Sequence, residues 1–91
     1  MEGEQNVKEF KYTIKDPVGL HARPAGMLVK LSAPFKSTIT IDTGVKQADA
    51  KRIMAVMSAG AKQGVTITCR IEGEDENEAY AALKAFFEEN L

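Results

Sequence analysis

The sequence contains one cysteine, one histidine and no tryptophan among its 91 residues. Cys69 has no partner for an internal disulfide, so a disulfide-stabilised secreted scaffold is excluded and a reducing cytoplasm is favoured. Metal sites built from several His or Cys ligands, and paired-cysteine redox motifs, are excluded because the ligands are missing. We therefore predict neither a metal nor a cofactor.

An excess of charge of either sign is also missing. Twelve Lys and Arg residues against thirteen Asp and Glu residues give a formal charge of -1, which argues against nucleic acid or an anionic membrane as a partner. No stretch approaches the ~20 apolar residues of a membrane span, and the first residues lack the pattern of a signal peptide. We expect a cytoplasmic, monomeric protein without membrane insertion, in which residues 1–7 form a polar extension and residues 8–91 one domain.

Hydrophobic alternation with a period of two residues predicts four short strands. The alternating apolar positions are Phe10, Tyr12 and Ile14; Ile39 and Ile41; a short stretch at 46–48; and Val65, Ile67, Cys69 and Ile71. Since polar residues stand between them, we expect an antiparallel sheet with one face in solvent and the helices on the other face. Asp42, Thr43 and Gly44 have the composition of a hairpin turn between the second and third strands.

Three helices are predicted in the remaining segments. The first covers about 22–33 and ends before Pro34, and the second covers roughly 51–59. The third begins at Asp75, whose carboxylate is predicted to cap the first turn in a capping box with Glu78. The apolar stripe of the first helix is assigned to Met27, Leu28 and Leu31. The order β-α-β-β-α-β-α indicates a two-layer α+β domain.

The chemically informative segment is Gly-Leu-His-Ala-Arg-Pro-Ala at 19–25, where the first predicted helix begins. Pro24 falls in the first turn, where its missing N–H costs nothing, so His21 is the predicted N-cap residue. There the imidazole would lie beside the free N–H groups of Ala22 and Arg23 and the positive end of the helix dipole. These features predict a neutral imidazole that attacks phosphorus, and a phosphoryl dianion stabilised by both amides and the Arg23 guanidinium. Taken alone, however, a histidine at a helix start is more often a capping or surface residue.

Three blocks of the sequence resemble the HPr family, the histidine-containing phosphocarriers of the bacterial phosphoenolpyruvate-dependent sugar phosphotransferase system. The blocks are 19–25, 50–60 and 73–79, and the resemblance covers essentially Lys8 to Leu91. It implies an open-faced β-sandwich with four antiparallel strands and three helices on one side. It also implies that phospho-enzyme I phosphorylates His21 on Nδ1, that Arg23 stabilises the phosphate, and that an enzyme II A component receives the group. A member of this family is a phosphoryl carrier and not an enzyme.

The middle helix has more apolar side chains than one face can bury, since Ile53, Met54, Val56 and Met57 follow closely on one another. Methionine makes adaptable contact surfaces, and the resemblance implies that this helix is part of the docking surface beside the histidine. The residues assigned to partner docking are Leu20, Pro24, Arg52, Ile53, Met54 and Met57, with Val56 facing the core. The alternative that all four apolar residues belong to the core stays open.

Arg52 departs from a pattern found in many Gram-positive members of the family, which have a serine there that a dedicated kinase phosphorylates. Because Arg52 has no hydroxyl, we expect histidine phosphotransfer without serine-kinase regulation at this position. Two alternatives stay open. One is a non-catalytic regulatory binding module of the same fold, which the presence of both His21 and Arg23 disfavours; the other is a carrier in a nitrogen-related or dihydroxyacetone phosphotransfer branch.

Overall fold

The computed structural model describes residues 7–91, which form four strands and three helices. In chain order these are β1 (Val7–Thr13), α1 (Ala22–Ser32), β2 (Thr38–Asp42), β3 (Gln47–Asp49), α2 (Ile53–Ser58), β4 (Thr66–Glu72) and α3 (Glu76–Asn90). The predicted element order is confirmed. Strand β1 begins one residue before the expected domain start at residue 8, and the rest of the expected polar extension, residues 1–6, lies outside the described residues. No helix within 7–91 has the length and apolar character needed to cross a membrane.

The strands form one antiparallel sheet in the order β1-β4-β2-β3. Cys69 in β4 lies opposite Phe10 of β1 on one side and Ile41 of β2 on the other, so the apolar positions of the three strands are in register. The alternate positions form a polar face, on which the Lys11 ammonium donates to the Thr68 hydroxyl over 2.9 Å. The predicted antiparallel sheet with one polar face is therefore confirmed.

The helices cover the apolar face of the sheet and enclose one core. Its largest fully buried side chains are Phe87, Ile14, Leu28, Ile39, Ile41, Ile67, Ile71, Leu83 and Val56. The Phe87 ring packs edge-on against Phe10 and Phe86, with ring centroids 5.9 and 5.7 Å away. Burial raises the pKa of the Cys69 thiol to about 12, so this cysteine stays protonated and behaves as a small apolar side chain.

The helix boundaries differ from the expected ones where local turns compete with the helix. Helix α1 ends at Ser32 and α2 covers only Ile53–Ser58. The shortening of α2 has a clear cause, since Asp49 accepts hydrogen bonds from the amides of Lys51 and Arg52 and forms a separate turn before the helix. Met27 was expected in the apolar stripe of α1, but its side chain is 43% exposed, so that assignment was wrong.

The capping box expected at the start of α3 is absent, because Asp75 makes no side-chain capping hydrogen bond. Its carboxylate instead accepts hydrogen bonds from the Lys36 amide at 2.7 Å, the Ser37 amide at 2.9 Å and the Ser37 hydroxyl. Gly73 permits this close approach, since a Cβ on it would lie 2.6 Å from the Ser37 Cα. Asp75 therefore ties the start of α3 to the loop before β2.

This contact predicts acid-sensitive stability. The hydrogen bonds from the Ser37 hydroxyl, the Lys36 amide and the Ser37 amide hold the pKa of Asp75 below its ordinary value of 3.8. A carboxylate with a depressed folded-state pKa stabilises the fold above its unfolded pKa, and this contribution is lost as pH falls through the folded value. We expect Asp75→Asn to lower the urea unfolding midpoint at pH 7, and the difference from wild type to shrink progressively below about pH 5. Ser37→Ala should reduce the same pH dependence; an unchanged difference between wild type and Asp75→Asn at all pH values would contradict the prediction.

Candidate functional site

His21 occupies the N-cap position of α1, as predicted, with φ -94° and ψ -169°. Its carbonyl accepts from the Ala25 amide at 2.8 Å, and its own amide donates to the Gly19 carbonyl at 3.0 Å. The side chain makes no capping hydrogen bond and is exposed to solvent. The imidazole is thus not used for capping, and it lies at the open end of a helix, where the dipole favours an anion.

The first turn of α1 leaves backbone donors available for such an anion. Ala22 and Arg23 are both exposed, and within residues 7–91 neither amide has a hydrogen-bond partner. Pro24 follows and has no N–H to contribute. Unpaired N–H groups in a first helical turn, next to the dipole, are suited to bind phosphate oxygens.

His21 and Arg23 line the same solvent-open pocket, which has a volume of about 260 Å³. The other lining residues are Asp16, Pro24, Met27 and Asn90. Asp16 and Asn90 were not among the site residues predicted from the sequence. An Asp-Pro pair after a strand is a turn signal that singles out Asp16, whereas Asn90 carries no local signal because only the fold brings the end of α3 to the start of α1.

The turn before His21 packs against the segment between α2 and β4. Gly19 has φ +75°, and a Cβ on it would lie 2.6 Å from the Ala61 carbonyl oxygen. The Leu20 amide donates to that same oxygen at 2.9 Å. Glycine is required here both by the left-handed backbone and by the close approach.

Four of the residues assigned to docking lie on an exposed surface, which we call the α2 surface: Arg52, Ile53, Met54 and Met57. The three apolar members are 41%, 71% and 43% exposed, respectively, while Val56 is fully buried as predicted. The α2 surface adjoins α1, because a Cβ on Gly26 would lie 3.8 Å from Cδ1 of Ile53.

Two other residues assigned to docking are buried, and for these the structure corrects the assignment. Leu20 is only 6% exposed and belongs to the hydrophobic core. Pro24 is buried in the first turn of α1, although it lines the pocket. A side chain already covered by its own domain offers little area to a partner.

A second pocket of about 340 Å³ lies between α1 and α3 and is lined by Met27, Lys30, Leu31 and Phe86. It is largely apolar, and Lys30 is the charged side chain among its lining residues. Within residues 7–91 no group of three or more His, Cys, Asp or Glu side chains is arranged to hold a metal ion.

A family model described as "PTS HPr component phosphorylation site" matches residues 8–89 of this chain. The chain belongs to the HPr family. The phosphocarrier protein HPr of Lysinibacillus sphaericus is 43% identical over 83 residues, which cover 91% of this chain and 94% of that protein.

Solved structures of HPr proteins have the same fold. HPr from Thermoanaerobacter tengcongensis matches with a TM-score of 0.83 and 42% identity, covering 89% of this chain and 91% of that one. The histidine-containing phosphocarrier protein of Mycoplasma matches with a TM-score of 0.84 and 43% identity, covering 87% and 90%. The protein is thus a phosphocarrier of the phosphotransferase system with the open-faced β-sandwich fold, and it carries a phosphoryl group between proteins without being an enzyme.

Proposed function

We propose that His21 is the residue that carries the phosphoryl group, accepting it from phospho-enzyme I and donating it to enzyme II A components for sugar uptake. The observation that supports this most strongly is the position of His21. Its exposed imidazole lies at the open start of α1, next to two amides without a partner in the described chain and in one pocket with Arg23.

In the proposed reaction, a neutral imidazole attacks phosphorus through Nδ1 while Nε2 keeps its proton. The bond between phosphorus and the donor breaks, and its electron pair leaves with the donor. The same step in reverse, with a nucleophile of the acceptor protein, restores the free imidazole. Because the ring is exposed, both partners have access to it, and the group is stabilised without being buried.

Arg23 and the amides of Ala22 and Arg23 are proposed to bind the phosphoryl oxygens. A guanidinium makes strong charge-assisted hydrogen bonds to phosphate, and the amides add donors that are already in place. The exposure of Arg23 leaves it free to adjust to each partner complex.

We expect Arg23→Glu to slow phosphoryl transfer in both directions by roughly 10- to 100-fold, since it removes a charge-assisted hydrogen bond and adds a like charge. Rapid-quench assays with phospho-enzyme I and with an enzyme II A component measure the two directions, and thermal unfolding checks that the domain stays folded. Lys46→Glu makes the same change of charge at an exposed residue outside the pocket and should leave both rates near wild type. Equal rates for Arg23→Glu and wild type would mean that the guanidinium does not take part.

The α2 surface is proposed to dock the partner proteins beside His21. Its exposed apolar side chains offer adaptable contact area, and Arg52 adds a cation suited to acidic partner surfaces. With arginine at position 52, regulation by serine phosphorylation there is chemically impossible. We propose a monomer, since its partners need the α2 surface, and a cytoplasmic location, which agrees with a free, buried cysteine.

The assignment of His21 is tested by mapping the phosphoryl group on the wild-type protein. Incubation with enzyme I and radiolabelled phosphoenolpyruvate should give acid-labile, base-stable phosphate, as expected of a phosphohistidine. Peptide mapping should place the label on the peptide that contains His21. Acid-stable label, or label on a peptide without His21, would contradict the proposal.

A further inference from the structure

Main-chain hydrogen bonds, and not a hydrogen bond of the imidazole, fix the point from which the His21 side chain extends. The imidazole makes no capping hydrogen bond, whereas the main chain of His21 is held by the Gly19 carbonyl on one side and the Ala25 amide on the other. Any movement of the turn at 16–20 would therefore move the ring with it.

Asp16 organises this turn. Its carboxylate oxygen Oδ2 accepts from the Val18 amide at 3.1 Å and from the Gly19 amide at 3.0 Å. Its backbone carbonyl also accepts from the Gly19 amide, at 3.0 Å. Pro17 lies between and has a fixed φ and no N–H. An aspartate that bonds the backbone two and three residues ahead is a recognised means of holding a tight turn.

The two ends of the turn are attached to the rest of the domain. At its start, the Asp16 amide donates to the Leu91 carbonyl at 2.8 Å and the Lys15 amide donates to it at 2.6 Å. At its end, the Leu20 amide donates to the Ala61 carbonyl at 2.9 Å. Asp16 therefore connects the end of α3 with the turn that leads into His21.

The negative charge of Asp16 is by itself unfavourable for phosphoryl transfer. Asp16 lines the pocket with His21 and Arg23, where a bare carboxylate would repel an incoming phosphoryl dianion. The two amide donors compensate part of that charge. A benefit from Asp16 is thus expected from its hydrogen bonds and not from its charge.

We propose that Asp16 is a positioning residue for phosphoryl transfer, whose carboxylate holds the amides of Val18 and Gly19 and so sets the place of the His21 ring. This inference rests on the proposed role of His21. It concerns how the nucleophile is placed, and a displacement of about 1 Å from a productive geometry can reduce a rate by roughly 100-fold.

The test compares Asp16→Ala with Asp16→Asn in single-turnover transfer from phospho-enzyme I. We expect Asp16→Ala to lower the transfer rate about tenfold or more, with an unchanged half-saturating concentration of phospho-enzyme I because the α2 surface is intact. Asp16→Asn should recover most of the rate, since its amide oxygen accepts the same two hydrogen bonds. Asp42→Ala is the matched control, because Asp42 accepts from the Gly44 amide at 2.8 Å in a similar turn outside the pocket.

Amide hydrogen exchange at Val18 and Gly19 gives a direct structural readout, which should be faster in Asp16→Ala and near wild type in Asp16→Asn. A wild-type transfer rate in Asp16→Ala would overturn the inference, as would equal losses in Asp16→Ala and Asp16→Asn or an equal loss in Asp42→Ala. Phosphorylation of a His21→Ala protein would instead overturn the proposed role of His21, and it is scored in the same assay.

Discussion

Replacing His21 with alanine is expected to abolish phosphorylation of this protein while leaving its fold intact. His21 is the only histidine in the sequence, so no other imidazole can take its place. We expect the rate of phosphoryl acceptance from phospho-enzyme I to fall by roughly 1,000-fold or more, as is usual when a nucleophile is removed. Labelling with radioactive phosphoenolpyruvate and enzyme I measures this loss.

The fold should tolerate the substitution because the His21 side chain is exposed and makes no capping hydrogen bond. A change in unfolding free energy within about 0.5 kcal/mol is expected from urea titration. His21→Gln keeps a polar side chain of similar size and should be equally inactive, which separates loss of the nucleophile from loss of polarity. Acid-labile label on either variant would show that the phosphoryl group goes elsewhere.

Replacing Phe87 with alanine should lower the free energy of unfolding more than any other substitution proposed above. The ring is fully buried and contacts the aromatic rings of Phe10, Tyr12 and Phe86. Removing a buried phenylalanine side chain costs about 3–5 kcal/mol, through lost burial and the cavity that remains. Small domains have a total stability of roughly 5–15 kcal/mol, so the substitution removes a large part of the free energy of unfolding. Urea unfolding followed by circular dichroism gives the change directly.

The matched control for Phe87→Ala is Lys84→Ala, an exposed position on the same helix, which should change stability by no more than about 0.5 kcal/mol. Phe87→Leu fills part of the cavity and should lose less than Phe87→Ala. Phe87→Ala should also disturb the turn before His21. The Leu91 amide donates to the Phe87 carbonyl, and the Leu91 carbonyl anchors that turn. If Phe87→Ala and Lys84→Ala were equally stable, the aromatic cluster would not be central to the core.

The strands could be predicted from the sequence because their signal is local and regular. Phe10, Ile41 and Cys69 alternate with polar residues, and each lies on the buried face in register with the others. The start of α1 was predictable for a similar reason, since Pro24 in a first turn places His21 at the N-cap. Both features depend only on residues that are neighbours along the chain.

Two of the predictions that failed concern groups with competing partners elsewhere in the chain. Asp75 has the local sequence of a capping residue, but the Lys36 amide and Ser37 take its carboxylate instead. Leu20 adjoins His21 in sequence, yet its side chain is buried in the core and not presented to a partner. Neither outcome can be read from residues near Asp75 or Leu20, because the competing groups become neighbours only on folding.

By itself, the sequence determined the order of strands and helices, the polar and apolar faces of the sheet, and the helix start that carries His21. Periodicity and proline position suffice for these features, since both act over a few residues. The tertiary structure decided which residues surround His21. It brought Asn90 to the pocket that His21 shares with Asp16 and Arg23, and it attached the turn before His21 to Leu91 and Ala61, because groups far apart in the chain meet only when the helices pack on the sheet.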